Sequence, residues 1–118
     1  DKGYSNFTQK LGAMGTKYAK YPKALAKIQK LYWFTIEFGM MIRNGEYKIY
    51  GAGILSSLAE SKKIFSNYTD IRAFDLEKVI NSEYDISKIQ PYYYAIQSFE
   101  QLYQSLFKLE DILTKETS

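Results

Sequence analysis

Apolar residues recur at four-three-four-three spacing through Ala24, Ile28, Leu31, Thr35 and Phe38. That stripe predicts a helix with Pro22 in its first turn, running to about Met40. Upstream, Ser5 to about Ala19 carries a looser helical pattern, interrupted at Gly12 and Gly15. Downstream the period shortens. Asn44-Gly45 separates Met41-Ile42-Arg43 from Glu46-Tyr47-Lys48-Ile49-Tyr50 and predicts a β-hairpin. Gly51 and Gly53 allow a tight backbone after the second strand. Ser57 and Glu60 fit a capping box that opens a helix to about Phe65, and Asp75 caps a short helix through Ile80. Ile89 to Ile96 reads as a strand, set at a sheet edge by Pro91 near its start. Ser98 then caps a closing helix with a stripe of Phe99, Leu102, Leu106, Leu109 and Leu113, before a polar, frayed tail from Thr114 to Ser118. The expected fold class is mainly α with a short β-hairpin and one further strand (α+β).

The 118 residues amount to at most one domain, with no internal repeat and no linker. The short, irregular elements look like part of a larger enzyme domain. A hydrophobic content of 46% and an aromatic content of 17% argue for a packed chain and against disorder. Twelve Tyr and seven Phe suit a tight core or an aromatic-lined pocket. The net charge of +3 is too mild to indicate nucleic acid. Lys10, Lys17, Lys20, Lys23, Lys27 and Lys30 share one helical face, read as solvated rather than as a phosphate-binding stripe. No apolar run reaches transmembrane length, no signal peptide opens the chain, and no cysteine is present. The expectation is a cytoplasmic protein with no membrane and no nucleic-acid partner.

Candidate chemistry concentrates in Leu31-Tyr32-Trp33-Phe34-Thr35-Ile36-Glu37-Phe38-Gly39. On one continuous helix, Glu37 shares its face with Trp33, Phe34, Met40 and Met41, and the nearest cation on that side, Lys30, is two turns away. A carboxylate placed so requires a positive partner, and a metal ion or a salt bridge both satisfy it. The chain contains no histidine and no cysteine. It therefore cannot complete an ordinary transition-metal site by itself.

Three segments in this order resemble the pterin-dependent aromatic amino-acid hydroxylases, and most closely the bacterial phenylalanine hydroxylases. They are Tyr32-Trp33-Phe34-Thr35-Ile36-Glu37-Phe38-Gly39, then Tyr50-Gly51-Ala52-Gly53-Ile54-Leu55-Ser56-Ser57, then Gln90-Pro91-Tyr92-Tyr93-Tyr94 running into Ser98-Phe99. Ile71-Arg72-Ala73-Phe74-Asp75 also fits, so the similarity runs from about Phe7 to Leu106. The resemblance implies that residues 1–118 are the C-terminal part of a single catalytic domain. It also implies that the two histidine ligands to Fe(II), the arginine that holds the substrate carboxylate and the loops that stack the pterin lie upstream. Glu37 matches the family's glutamate ligand to iron, and Tyr32 matches a tyrosine beside the iron that faces tetrahydrobiopterin. Trp33, Phe38 and Gly53 match positions that line the pocket for the substrate ring. Ser56 and Ser57 match serines near the amino-acid end of the substrate, Glu60 a glutamate in the same shell, and Tyr84 a tyrosine at the pocket mouth.

The implied reaction hydroxylates L-phenylalanine to tyrosine with O2, taking two electrons from tetrahydrobiopterin. Ring preference between phenylalanine, tyrosine and tryptophan stays open at this point. The isolated chain is expected to be inactive, because the histidine ligands are not in it. The greasy surface around Glu37 and Trp33 is expected to be covered by the other half of the domain or by a second copy. Read from the residues without the resemblance, Trp33 with Phe38 is core packing, and Ser57 with Glu60 is a helix cap. The alternative of a different class is an aromatic-rich binding module, or a partner-dependent structural module, with no catalysis.

Overall fold

The structure is a computed structural model that describes all residues except 58, 61 and 63–68. The chain divides into two compact units, one of Asp1–Gln29 with Ser98–Ser118 and one of Lys30–Gln97.

The first unit is helical. Helix α1, Lys2–Lys17, buries Phe7, Leu11 and Met14, and is capped by the Asp1 carboxylate, which accepts from the Gly3 and Tyr4 amides. It runs unbroken through Gly12 and Gly15, where the sequence predicts interruptions. Each glycine weakens a helix by about 1 kcal/mol, but the three-four spacing of the buried residues continues across both. Helix α2, Pro22–Tyr32, contributes buried Ala24 and Ile28 to this unit. The last helix of the chain, Phe99–Thr117, begins at Ser98, whose hydroxyl accepts from the Gln101 amide, and buries Leu102, Leu106, Leu109 and Leu113. It lies beside α1 in the same direction: Tyr4 meets Phe99, Lys10 meets Phe107 and Glu110, and Tyr18 meets Thr114. The tail expected to fray is helical through Thr117, held by Thr114 and Thr117 hydroxyls bonded to carbonyls one turn back and by a Lys27–Glu116 pair.

The lysine face has acidic partners. Lys10 and Lys17 both reach Glu110, at 3.1 and 3.9 Å, and Lys27 reaches Glu116. Partly exposed pairs of this kind contribute about 0–1 kcal/mol each. Their larger effect is to offset part of the stripe's charge.

In the second unit α2 changes character at Trp33. Residues Trp33–Glu37 form a π-helical turn in which the Phe38 amide donates to the Trp33 carbonyl at 2.9 Å, so the helix ends before Met40. Four strands follow: β1, Met40–Arg43; β2, Glu46–Ile49; β3, Ile71–Ala73; and β4, Tyr93–Ile96. Their order in the sheet is β2-β1-β4-β3. The β1–β2 hairpin turns on Asn44 and Gly45, both at positive φ as its two-residue loop requires. Strand β4 pairs parallel with β1 and with β3, and all four of its residues are buried. It is a central strand and not the edge that Pro91 predicts; the ladder starts at Tyr93, so the proline lies before it and removes no bond. Strand β3 was not expected. Three residues, Ile-Arg-Ala, are too few to display a period.

Two short helices that lie wholly within the described residues belong to the same unit. Helix α3 spans Ala52–Leu55, and α4 spans Leu76–Ile80 with Asp75 as its cap. Met40, Ile54, Tyr93 and Ala95 form the buried core, with Phe38, Ile42, Ile49 and Ile71 packed on it. Residues 58, 61 and 63–65 of the helix predicted after Ser57 lie outside the described residues. The fold class is α+β, as the sequence predicts, with two strands beyond the hairpin instead of one. Among the described residues no helix is long and apolar enough to cross a membrane.

Candidate active site

The π-helical turn sets the positions of the side chains it carries. Beyond Trp33 each residue sits one place further round than α-helical spacing puts it. Glu37 is consequently half-buried rather than sunk in a greasy face, and Met40 and Met41 lie on β1 instead of ahead of it on a helix. This corrects the reading of Glu37 as a carboxylate stranded among apolar side chains. Its neighbour is the Tyr32 hydroxyl, 3.4 Å from Glu37 Oε1, on a side chain that is 45% exposed. Among the described residues no three acidic, histidine or cysteine side chains converge on a metal position. The donor chemistry of Glu37, a carboxylate of hard oxygens, fits one protein ligand of an iron site.

Three of the rings singled out in the sequence come together. The Trp33 indole has Phe38 at 4.6 Å and Tyr84 at 4.7 Å between ring centroids, the second nearly parallel to it. Phe34, buried behind them, meets Tyr84 edge-on at 6.1 Å. Tyr84 also lines a surface pocket of about 340 Å³ with Asp85, Lys88, Ile89 and Pro91.

Gly51, the N-cap of α3, and Gly53, inside it, explain why the backbone can reach these rings. A Cβ on Gly53 would lie 2.8 Å from Phe38 Cζ and 2.9 Å from the Glu37 carbonyl oxygen. One on Gly51 would lie 2.5 Å from that same oxygen. Only hydrogen at both positions lets the Tyr50–Gly53 segment press against Glu37 and Phe38. The two sequence segments are thus one packed unit.

Glu60 is 4% exposed and accepts from the Gln90 amide at 2.8 Å and from the Tyr93 hydroxyl. Its own amide donates to Ser57 Oγ at 3.2 Å. Ser57 therefore caps as expected, but the Glu60 side chain does not complete the reciprocal box; it faces inward to the sheet. Burial, and then the Glu60 carboxylate, push the Tyr93 phenol well above the usual tyrosine range. Ser56 is exposed and donates only to the nearby Gly53 carbonyl at 3.3 Å. Its side chain joins neither the ring cluster nor the Glu60 network.

Gln90 was not singled out as a site residue. It is 2% exposed, and its side-chain oxygen accepts from Trp33 Nε1 at 2.9 Å. The available signal was a polar residue opening the Gln90-Pro91-Tyr92 segment, in a chain whose other glutamines have no fixed apolar surroundings by sequence.

Comparison with known proteins bears on this arrangement. The family model for biopterin-dependent aromatic amino acid hydroxylases matches residues 1–118. The chain is 38% identical over 104 residues to a phenylalanine-4-hydroxylase of Vibrio cholerae, covering 86% of this chain and 35% of that protein. It is 37% identical to tyrosine 3-monooxygenase of Bos taurus, covering 84% of this chain and 20% of that protein. The iron- and phenylalanine-bound crystal structure of phenylalanine hydroxylase from Chromobacterium violaceum superposes with a TM-score of 0.83 at 33% identity, covering 97% of this chain and 44% of the other. The chain thus spans about a third of the bacterial relative and a fifth of the bovine one.

Proposed function

This chain belongs to the biopterin-dependent aromatic amino acid hydroxylases, and we propose that it is the C-terminal part of a catalytic domain that hydroxylates L-phenylalanine to tyrosine. The observation that carries the reading is that the Gly51–Gly53 segment packs on the Glu37 backbone and on Phe38, so that the turn bearing the half-buried Glu37 also carries a cluster of flat rings, Trp33, Phe38 and Tyr84. Glu37 would hold Fe(II) as one oxygen ligand, with the other protein ligands coming from outside this chain, which has no histidine or cysteine. Bound Fe(II) with tetrahydrobiopterin supplies the activation of O2. Tyr32, against Glu37 and open to solvent on its other side, would border the pterin.

The chain's own residues bind and orient. Trp33 and Phe38 offer a flat apolar surface to the substrate ring and displace water from it. Gly53 keeps Phe38 in place and the backbone close. Ser56 and Ser57 would face the amino-acid end of the substrate, with Glu60 behind them and Tyr84 at the mouth. Bacterial phenylalanine-4-hydroxylase and tyrosine 3-monooxygenase match at 38% and 37% identity, so the preference for phenylalanine rests on the chain's overall similarity to the bacterial sequences.

The test compares the full-length natural protein with its Glu37→Gln variant and with residues 1–118 alone. Full-length protein should bind one Fe(II) and form tyrosine from phenylalanine only with tetrahydrobiopterin. Glu37→Gln should lose iron and activity together, and residues 1–118 alone should be inactive. Tetrahydrobiopterin-dependent tyrosine formation by residues 1–118 alone would overturn the reading of an incomplete site.

A further inference from the structure

We propose that Gln90 is a positioning residue that sets the in-plane orientation of the Trp33 indole, and that the buried Glu60 acts on the substrate-ring wall through it. The proposal deepens the functional reading above and rests on Trp33 forming that wall.

Phe38 and Tyr84 lie against the indole at 4.6 and 4.7 Å. Ring contacts restrain the tilt of a neighbouring ring but depend weakly on its sliding or turning within its own plane. A hydrogen bond is directional. The indole has a single polar atom with which to make one, and Nε1 donates to Gln90 Oε1 at 2.9 Å. Because an indole N–H only donates, the amide oxygen must face it. That leaves the amide nitrogen to donate to the Lys88 carbonyl at 3.2 Å.

Both ends of the Gln90 amide are therefore engaged, and its backbone is engaged as well. The Gln90 N–H donates to Glu60 Oε1 at 2.8 Å, while Tyr93 donates to Glu60 Oε2. Pro91 further confines the Gln90 backbone to extended geometry. Glu60 and Gln90 are 4% and 2% exposed, so water does not compete for these bonds. Trp33 Nε1, Gln90, Glu60 and Tyr93 form one chain of contacts from the indole to the head of the central strand. A residue that fixes only the fold has no reason to end on the edge of a half-exposed ring.

The test uses the full-length iron-loaded protein labelled with 5-fluorotryptophan, the Trp33 resonance being assigned by its loss in Trp33→Phe. Gln90→Met keeps chain length and removes the acceptor. Gln90→Glu keeps an oxygen for the indole in either protonation state. Gln90→Met should shift the Trp33 fluorine resonance and raise KM for phenylalanine about fivefold, the scale of one buried hydrogen bond, with a smaller change in kcat. Gln90→Glu keeps the indole's acceptor but not the amide donor to the Lys88 carbonyl, so it should recover most of the KM lost in Gln90→Met and leave the resonance nearer its original position. In a Trp33→Phe background Gln90→Met should have no further effect on KM, since the donor is already gone. Should Gln90→Met not fold, Gln90→Asn, which withdraws the acceptor by one carbon, makes the same comparison. An unmoved Trp33 resonance, or an equal rise in KM in both backgrounds, would overturn the proposal. If the unsubstituted protein hydroxylates no aromatic amino acid, the functional reading fails instead, and the fluorine resonance alone then decides whether Gln90 holds Trp33.

Discussion

The helical unit, residues 1–29 with 98–118, and the sheet unit, residues 30–97, place their polar groups differently. In the helical unit the buried positions are hydrocarbon or aromatic, and carboxylates such as Glu110 and Glu116 sit at the surface against lysines. In the sheet unit Thr35, Glu60 and Gln90 are buried; Thr35 donates to the Leu31 carbonyl one turn back, while Glu60 and Gln90 are bonded to distant parts of the chain. Burying polar groups adds little stability even when they are satisfied. It does fix geometry. The helical unit is built to hold together, and the sheet unit to hold particular side chains at particular places.

Substitutions can separate those two roles. The largest effect on stability should come from Leu106→Ala, which opens a cavity in the helical unit and should lower the unfolding free energy by about 3 kcal/mol. KM of the full-length protein should not change, and a matching rise in KM would break the comparison. Glu60→Leu leaves the Gln90 N–H and the Tyr93 hydroxyl without their acceptor and should cost about 2 kcal/mol. Unlike Leu106→Ala it should also raise KM for the aromatic amino acid, as denaturant titration and steady-state kinetics on the same samples will show.

Tyr93 gives the pair a pH signature. Its native pKa lies above the unfolded value of 10.0. The stability it contributes is therefore complete below pH 10 and is lost as pH climbs toward the native value. Over that window the unfolding free energy should fall by up to about 1.4 kcal/mol per pH unit for this one group. Tyr93→Phe should flatten the decline by that amount. Gly53→Ala forces Phe38 or the Glu37 carbonyl aside and should cost about 1 kcal/mol, with a rise in KM as its clearer effect. Glu110→Ala, which frees Lys10 and Lys17, should cost less than about 1 kcal/mol, and the cost should shrink in high salt.

The same contrast governs what could be read from the sequence. The stripe Leu102, Leu106, Leu109 and Leu113 is local and periodic, so the closing helix was legible, as were the Asn44-Gly45 hairpin and the caps at Asp75 and Ser98. The π-helical turn was not, because it departs from the period that the reading assumes. That one departure accounts for both the overlong helix and the misplaced setting of Glu37. Strand β4 was found but set at the edge, since its partners β1 and β3 come from distant segments and nothing local to Pro91 reveals them. At the site, Trp33, Phe38, Gly53 and Tyr84 were named from resemblance, and the structure brings them together. Gln90 escaped because its partners, Trp33 and Glu60, are 57 and 30 residues away.

A π-helical turn is an α-helical turn with one residue added. The segment Trp33–Glu37 is therefore the place in this chain where loss of a single codon has a defined geometric result. Removing one residue there would let α2 continue in regular register up to the hairpin. The strands would keep their pairing while the side chains after the deleted residue, Glu37 among them, turned to a new heading. Within such a lineage, a hydroxylase and a chain that merely shares its fold could differ by one amino acid in length.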